Sequence, residues 1–318
     1  MKLKSLLLFA TLFFSFVCAS LKAQSLSDSL SMLLDEPTDK IEAVTGTFAT
    51  TRLANGQSIE NVEQGVLDFR VNHRFGLLTQ GFKDFFGLDG ANTRIGFDYG
   101  ITNWLMIGIG RSSYFKEYDG FAKVKILRQK TGNAMPVSVS YLGAISVLGI
   151  DHPTLLSDSI PYRFINRLAY VNQLIIARKW NESVSLQIMP THVHYNLVNY
   201  LGESNDVLAV GLGGRVKLSS RMALVVEYYY QFEGTKRFRE GIPGTTTKNP
   251  LTIGLDIQTG GHVFQLLFSN SQAVSERNMI GQTTDDWGKG DIHFGFNISR
   301  VFTIVRPKEF SGSRNKIW

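Results

Sequence analysis

Leu251-Thr252-Ile253-Gly254-Leu255-Asp256-Ile257-Gln258-Thr259-Gly260-Gly261-His262-Val263-Phe264-Gln265-Leu266-Leu267-Phe268-Ser269 is the stretch that decides the fold. Leu251, Ile253, Leu255 and Ile257 alternate with Thr252, Gly254, Asp256 and Gln258. Beyond Gly260-Gly261, His262, Phe264, Leu266 and Phe268 lie opposite Val263, Gln265, Leu267 and Ser269. Successive strand side chains point to opposite faces, so each half has one apolar face and one small or polar face. Two glycines between two such runs mark a tight hairpin. Ile292, Phe294, Phe296 and Ile298 repeat the pattern against His293, Gly295, Asn297 and Ser299.

Read back toward the N-terminus, similar segments recur, each about as long as a tilted membrane-crossing strand. Twelve are expected, at about 65–75, 93–101, 104–114, 119–130, 136–148, 164–180, 183–195, 205–219, 222–233, 250–259, 262–270 and 290–304. The segment 164–180 has no clean parity, which predicts a bulge or an extension past the membrane. Short links (Thr102-Asn103, Thr131 to Met135, Asn181-Glu182, Ser219 to Arg221, Gly260-Gly261) alternate with long ones at 76–92, 149–163, 196–204, 234–249 and 271–289. The brief link Phe115 to Tyr118 is the exception. This alternation predicts an all-β protein: one antiparallel transmembrane barrel with short periplasmic turns, longer extracellular loops and both termini periplasmic. Tyr99, Trp104 and Trp180 sit by short turns, whereas Tyr114, Phe115, Tyr118, Tyr195, Tyr228 to Tyr230 and Phe232 sit at loop-side ends, as two interfacial belts require. A soluble sandwich or lipocalin-like barrel also alternates but has no reason to sort its loops by length.

The start of the chain predicts export to a bacterial outer membrane. Lys2 and Lys4 precede the apolar run Leu6 to Val17 and the small-residue region ending at Ala23, so 1–24 reads as a cleaved signal peptide. The competing reading is a lipid anchor at Cys18, but Val17 stands where a small residue normally precedes such a cysteine. Cys18 is the only cysteine, so the mature chain has no thiol for catalysis, zinc or iron–sulfur chemistry. No cofactor is expected. The net charge of +6 points, in an exported protein, to lipopolysaccharide and other anionic headgroups or to a small anionic solute, not to nucleic acid. A periplasmic partner protein is a further expectation. Residues 25–64 stand apart as a periplasmic segment or partial plug. They hold a short helix at Ser25 to Leu34, a short strand at Thr47 to Arg52 and a turn at Asn55-Gly56; residues 305–318 form a tail.

Several stretches carry a resemblance: Arg52-Leu53-Ala54-Asn55-Gly56-Gln57-Ser58, Gly65-Val66-Leu67-Asp68-Phe69-Arg70 with His73-Arg74-Phe75-Gly76, and Asp84-Phe85-Phe86-Gly87-Leu88-Asp89. Arg94-Ile95-Gly96-Phe97-Asp98-Tyr99-Gly100 and Gly110-Arg111-Ser112-Ser113, followed by Lys116 and Tyr118-Asp119-Gly120-Phe121, complete the set. The chain resembles a family of bacterial β-barrel proteins, found mainly in Bacteroidota and classed as a domain of unknown function. The resemblance is dense from 45 to 130 and looser to 304. It implies a barrel in the outer membrane and no activity.

With apolar residues outward, Asp68, Arg70, Asn72, Arg74, Arg94, Asp98, Lys123, Lys125, Arg215, Lys217, Glu227 and Asp256 face the lumen. Seven of these are basic and four acidic, so full pairing leaves an excess of three positive charges. A regular hairpin places Arg70 opposite Asp98 and Arg74 opposite Arg94. Phe82, Asp84, Phe85, Phe86 and Asp89 form the candidate constriction loop. Lys236, Arg237 and Arg239 are candidates for lipopolysaccharide phosphates. The expected function is a narrow or gated channel for small, anionic solutes. The alternatives are a non-conducting barrel that anchors partners and a lipid-modifying enzyme. For the enzyme, Arg111-Ser112-Ser113 offers serines, but His73 has the outward parity. His192 and His194, two apart on a strand, share a face and form a candidate metal chelate that lacks a third ligand in sequence. Gly211-x-Gly213-Gly214 is read as letting the wall bend, because no helix follows it as a nucleotide loop requires.

Overall fold

The computed structural model describes residues 41–150, 162–198, 202–239 and 242–305; the signal region, the expected helix at 25–34 and the chain beyond 305 lie outside them. The strands are β1 (Val66–Leu77), β2 (Asn92–Gly100), β3 (Leu105–Ser112), β4 (Tyr118–Leu127), β5 (Ser138–Val147), β6 (Leu168–Lys179) and β7 (Val184–Tyr195). They continue as β8 (Asp206–Lys217), β9 (Met222–Gln231), β10 (Phe238–Arg239), β11 (Ile242–Thr246), β12 (Leu251–Thr259), β13 (His262–Ser269) and β14 (His293–Thr303). β10 and β11 pair as a separate hairpin within the loop from β9 to β12. The other twelve form a closed antiparallel barrel in which each pairs with its sequence neighbours and β1 closes against β14. All twelve expected segments are therefore strands. Closure leaves no unpaired strand edge, as an apolar solvent requires. No helix among the described residues is long and apolar enough to cross a membrane.

Side chains alternate as the pattern requires. Ile107, Ile109, Ile253, Phe264, Leu266 and Phe268 are exposed on the outer wall, whereas Asp68, Arg70, Asn72 and Arg74 are buried. Around Gly260-Gly261, Thr259 pairs with His262 and Ile257 with Phe264, and Gly261 takes φ +100, open to glycine alone without strain. At the wall's edges, Arg178 lies over the ring of Trp180 and Arg300 over Phe302, laying long cations on interfacial aromatics.

Four expectations need correction. β6 has no clean parity because both its faces are apolar: Ala169, Val171, Ile175 and Ala177 are buried while Tyr170 is exposed. It carries no bulge, since its pairing with β5 runs unbroken from Val147↔Leu168 to Ser138↔Ala177. The β1–β2 register is two residues from that expected: Asp68 opposes Asp98, Asn72 opposes Arg94, and Arg70 opposes Gly96. Thr47 to Arg52 is no strand; only Arg52 bridges Gln57, across the Asn55-Gly56 turn. Tyr195 and Tyr229, expected in the loop-side belt, are buried inside.

Candidate functional site

The barrel interior is occupied by its own chain. Val44 donates to the carbonyl of Gln129 at the short-turn end, and Gly65 donates to Gly100 at the same end. Residues 44–64 thus enter and leave by one mouth. Between, Ser58 N–H meets the carbonyl of Thr51 and Leu53 N–H that of Gly56, folding the segment into a narrow hairpin around Asn55-Gly56. The tip is held by Glu227 of β9, whose carboxylate accepts from the backbone N–H groups of Ala54 (3.1 Å), Asn55 (3.2 Å) and Gly56 (3.0 Å). Three convergent amides suit one anion. A Cβ on Gly56 would lie 2.4 Å from Tyr229 Oη, so glycine is needed for close approach. Asn55 also accepts from Arg74 Nη2 at 2.5 Å and donates to Thr252 Oγ1 at 2.8 Å.

The wall grips the sides of this plug as well. Lys123 Nζ donates to Gln57 Oε1 (3.0 Å) and to the carbonyls of Ser58 (2.9 Å) and Glu60 (2.6 Å). Thr51 Oγ1 donates to Asp98 (3.0 Å), and Arg70 Nη2 bonds Asp68 (2.8 Å). Gln265 and Asn297 donate to the carbonyls of Leu53 and Ala54, each at 2.8 Å. Leu53, Ala54, Phe48 and Ile59 pack with Ala169, Val171, Met189, Val207 and Ala209 of β6 to β8.

A second insertion closes the long-loop end. Ser275 caps α1 (Glu276–Gln282), which turns inward and is buried through Gly281. Arg52 of the plug meets Glu276 at 2.8 Å, tying the two inserts together. Glu117, just before β4, accepts from Ser275 Oγ (2.7 Å) and from Asn278 Nδ2. Burial pushes its carboxyl up to about 7, against the opposing pull of Arg277.

The expected lumen residues divide as follows. Asp68, Arg70, Asn72, Arg74, Arg94, Asp98, Lys123, Arg215, Glu227 and Asp256 are buried inside. Lys125 is half-buried and Lys217 exposed, because β4 and β8 end there and the wall no longer encloses them. The facing Arg74–Arg94 pair does not form: Arg94 makes two bonds to Asp119, Nε to Oδ1 at 2.8 Å and Nη2 to Oδ2 at 2.5 Å. Sequence reasoning missed Asp119, Glu117, Glu203 and Glu276, the first inward by strand parity and the rest legible only once their loops are folded. With them, the buried bases Arg52, Arg70, Arg74, Arg94, Lys123, Arg215, Arg237 and Arg277 face as many acids: Asp68, Asp98, Glu117, Asp119, Glu203, Glu227, Asp256 and Glu276. Among the described residues, these buried groups balance and leave no positive excess of three.

Other candidates also move. Phe82, Phe85, Phe86 and Asp89 are exposed and Asp84 half-buried, the three rings packing edge to face with centroids 5.8–6.3 Å apart. The rings of that loop are exposed and pack on one another, whereas the segments that enter the barrel are the plug and α1. Arg237 is buried, bonded to Glu203 at 3.2 Å and stacked 4.1 Å from the Tyr195 centroid, and Lys236 pairs with Glu233 at 2.6 Å. They form no free basic patch, and the side chain of Arg239 lies outside the described residues. Ser112 is buried while half-buried His73 faces outward to Thr93, so the two do not meet. Gly211 and Gly213 face inward and make room: a Cβ there would lie 2.5 Å from the Tyr229 ring and 2.4 Å from Leu53 Cδ2. His192 and His194 share the outer face of β7, and Asp206 joins them.

Among solved structures, the NanC porin matches with a TM-score of 0.46 at 10% identity, covering 75% of this chain and 100% of that one. The KdgM porin gives 0.43 at 7%, covering 74% and 99%. The COG4313 outer membrane channel from Pseudomonas putida F1 gives 0.47 at 12%, covering 77% and 98%. No curated protein matches in sequence. The family described as a membrane bound beta barrel domain (DUF5777) matches residues 48–302, from inside the plug to the last strand, and the chain belongs to it.

Proposed function

We propose that the protein is a gated outer-membrane channel, closed in its resting state by residues 44–64 and α1, with the long loops outside the cell and both termini in the periplasm. One observation carries this reading: the plug meets much of the wall through hydrogen bonds, and meets α1 through the Arg52–Glu276 ion pair. Transmembrane barrels have a polar interior that is either water-filled or plugged by loops or a helix. Here Thr51, Arg52, Asn55, Gln57 and Ser58 meet Asp98, Glu276, Arg74, Lys123 and their neighbours, contacts that water can replace when the plug withdraws. Arg52 Nε, Arg70 Nη1, Arg74 Nε and Arg94 Nη1 have no protein acceptor, and buried donors of this kind are normally satisfied by water. The plug enters and leaves by the short-turn mouth, so a periplasmic partner pulling on the N-terminal segment would open the path.

The balance of buried charge argues for small polar solutes with weak charge preference, in place of the anion preference expected from the sequence. Planar-bilayer recording tests the reading. The intact protein is expected to be silent or to show rare openings, whereas Glu227→Ala or replacement of 47–60 by a flexible linker gives stable conductance steps. Silence of the plug-less barrel, with heat-modifiable mobility showing that it is folded, would favour the non-conducting anchoring role. The reading is non-enzymatic, and lipid-hydrolysing activity in the purified protein would overturn it.

A further inference from the structure

We propose that His192, His194 and Asp206 form a binding site for a divalent d-block cation, Zn2+ foremost, on the outer face of the barrel rim. The site is independent of the channel reading, since it faces away from the plug. β7 puts the two histidines on its outward face two residues apart, with ring centroids 6.4 Å apart. Antiparallel register places Asp206, the first residue of β8, directly opposite His194. His192 Nε2 and His194 Nδ1 both converge on Asp206 Oδ1, at 2.7 Å and 2.8 Å. One ligand atom from each residue lies within 4.8 Å of the others.

Two imidazole nitrogens and a carboxylate oxygen are the donor set of three-ligand zinc sites that keep an open position. Calcium and magnesium prefer oxygen alone. A tetrahedral ion about 2.0–2.2 Å from each ligand needs them about 3.3 Å apart, so the nitrogens and Oδ1 must separate by only about half an ångström. On binding, each coordinating nitrogen presents its lone pair and its ring keeps a proton on the other nitrogen. The position of Asp206 is set beforehand: its N–H donates to Ser204 Oγ at 3.1 Å, and Ser204 Oγ donates back to its carbonyl at 2.8 Å. Tyr170 stacks on His194 from the neighbouring strand, with centroids 6.4 Å apart. The ligand side chains are 38–50% exposed, so an ion reaches them without opening the barrel.

The test uses untagged mature protein in lipid nanodiscs, titrated calorimetrically with ZnCl2 and optically with CoCl2. One Zn2+ per chain is expected, and Co2+ gives the intense visible absorption of a four-coordinate ion. Asp206→Asn, which keeps the shape and the hydrogen-bond acceptor, and His194→Ala each weaken binding at least about 100-fold, beyond the range for losing an outer-shell partner. His262→Gln leaves it unchanged. The absence of saturable one-to-one binding overturns the proposal, as does affinity that survives Asp206→Asn, or Co2+ with only the weak bands of a six-coordinate ion.

Discussion

Two arcs of the barrel wall present the same exterior and opposite interiors. From β12 through β14 to β4, the inward residues include Asp256, Gln265, Asn297, Asp68, Arg70, Arg74, Arg94 and Lys123. From β6 to β8 they include Ala169, Val171, Ile175, Ala177, Met189, Val193, Val207 and Ala209. Lipid contacts only the outer face, so it dictates outward residues alike on both arcs and says nothing about the inner ones. The plug dictates those. Its hairpin turns Thr51, Asn55 and Gln57 to the polar arc and packs Leu53, Ala54 and Ile59 with the apolar one. The plug is therefore held in one rotational setting, hydrogen-bonded chiefly on one side and close-packed on the other, where Gln187 Nε2 still donates to the Gln57 carbonyl at 2.9 Å.

The strongest way to break this comparison is at Glu227, which holds the plug tip. Glu227→Ala leaves three buried amides without their acceptor, at about 1–3 kcal/mol each. The free energy for opening the plug, read by native-state hydrogen exchange of residues 54–56, is expected to fall by on the order of 5 kcal/mol. A smaller drop than Leu53→Ala produces would mean that the apolar arc holds the plug. Leu53→Ala itself is expected to lower the same quantity by about 3 kcal/mol through the cavity it leaves. The apolar arc is sharpened by the contact between Leu53 and Gly213. Gly213→Ala clashes with Leu53 in the native sequence and is milder once Leu53 is alanine, so the two substitutions are non-additive.

The smallest effect is a pH dependence at the α1 end. Glu117 has a folded pKa near 7 against an unfolded value of 4.5, so between these values the unfolded chain has lost a proton that the folded one keeps. Stability is then lost as pH rises through that window and is greatest below it. Exchange of the amides at 275–282, corrected for intrinsic rate, is expected to be more protected at pH 5 than at pH 8. Glu117→Gln flattens the difference; a difference that persists in this variant removes Glu117 as its source.

How much of this was legible varied by arc. Where inward residues are charged, as at Asp68, Arg70 and Arg74, alternation showed both the strand and its facing. Along β6 an apolar inner face met an apolar outer face and the period vanished, although the strand was found by its length. The close approach at Gly213 is invisible in strand periodicity because the side chain that fills its space, Leu53, comes from the plug. A regular hairpin sets Arg74 opposite Arg94, whereas the irregular segment 78–90 joins strands whose register places Arg94 against Asn72.

The sequence by itself determined the twelve strands, their outward faces, the alternation of short and long connections and the turn at Asn55-Gly56. These follow from local periodicity, turn chemistry and the demand of lipid for an apolar exterior. Only the tertiary structure decided that residues 44–64 and α1 occupy the interior, that Arg94 pairs with Asp119, that Glu227 holds the plug tip and that Asp206 lies against the histidine pair. Those depend on register and on how loops fold back, which bring Arg52 to Glu276 across 224 residues and Ser299 to Asp68 across 231. A two-residue period specifies which face a side chain takes; it carries no information about what waits there.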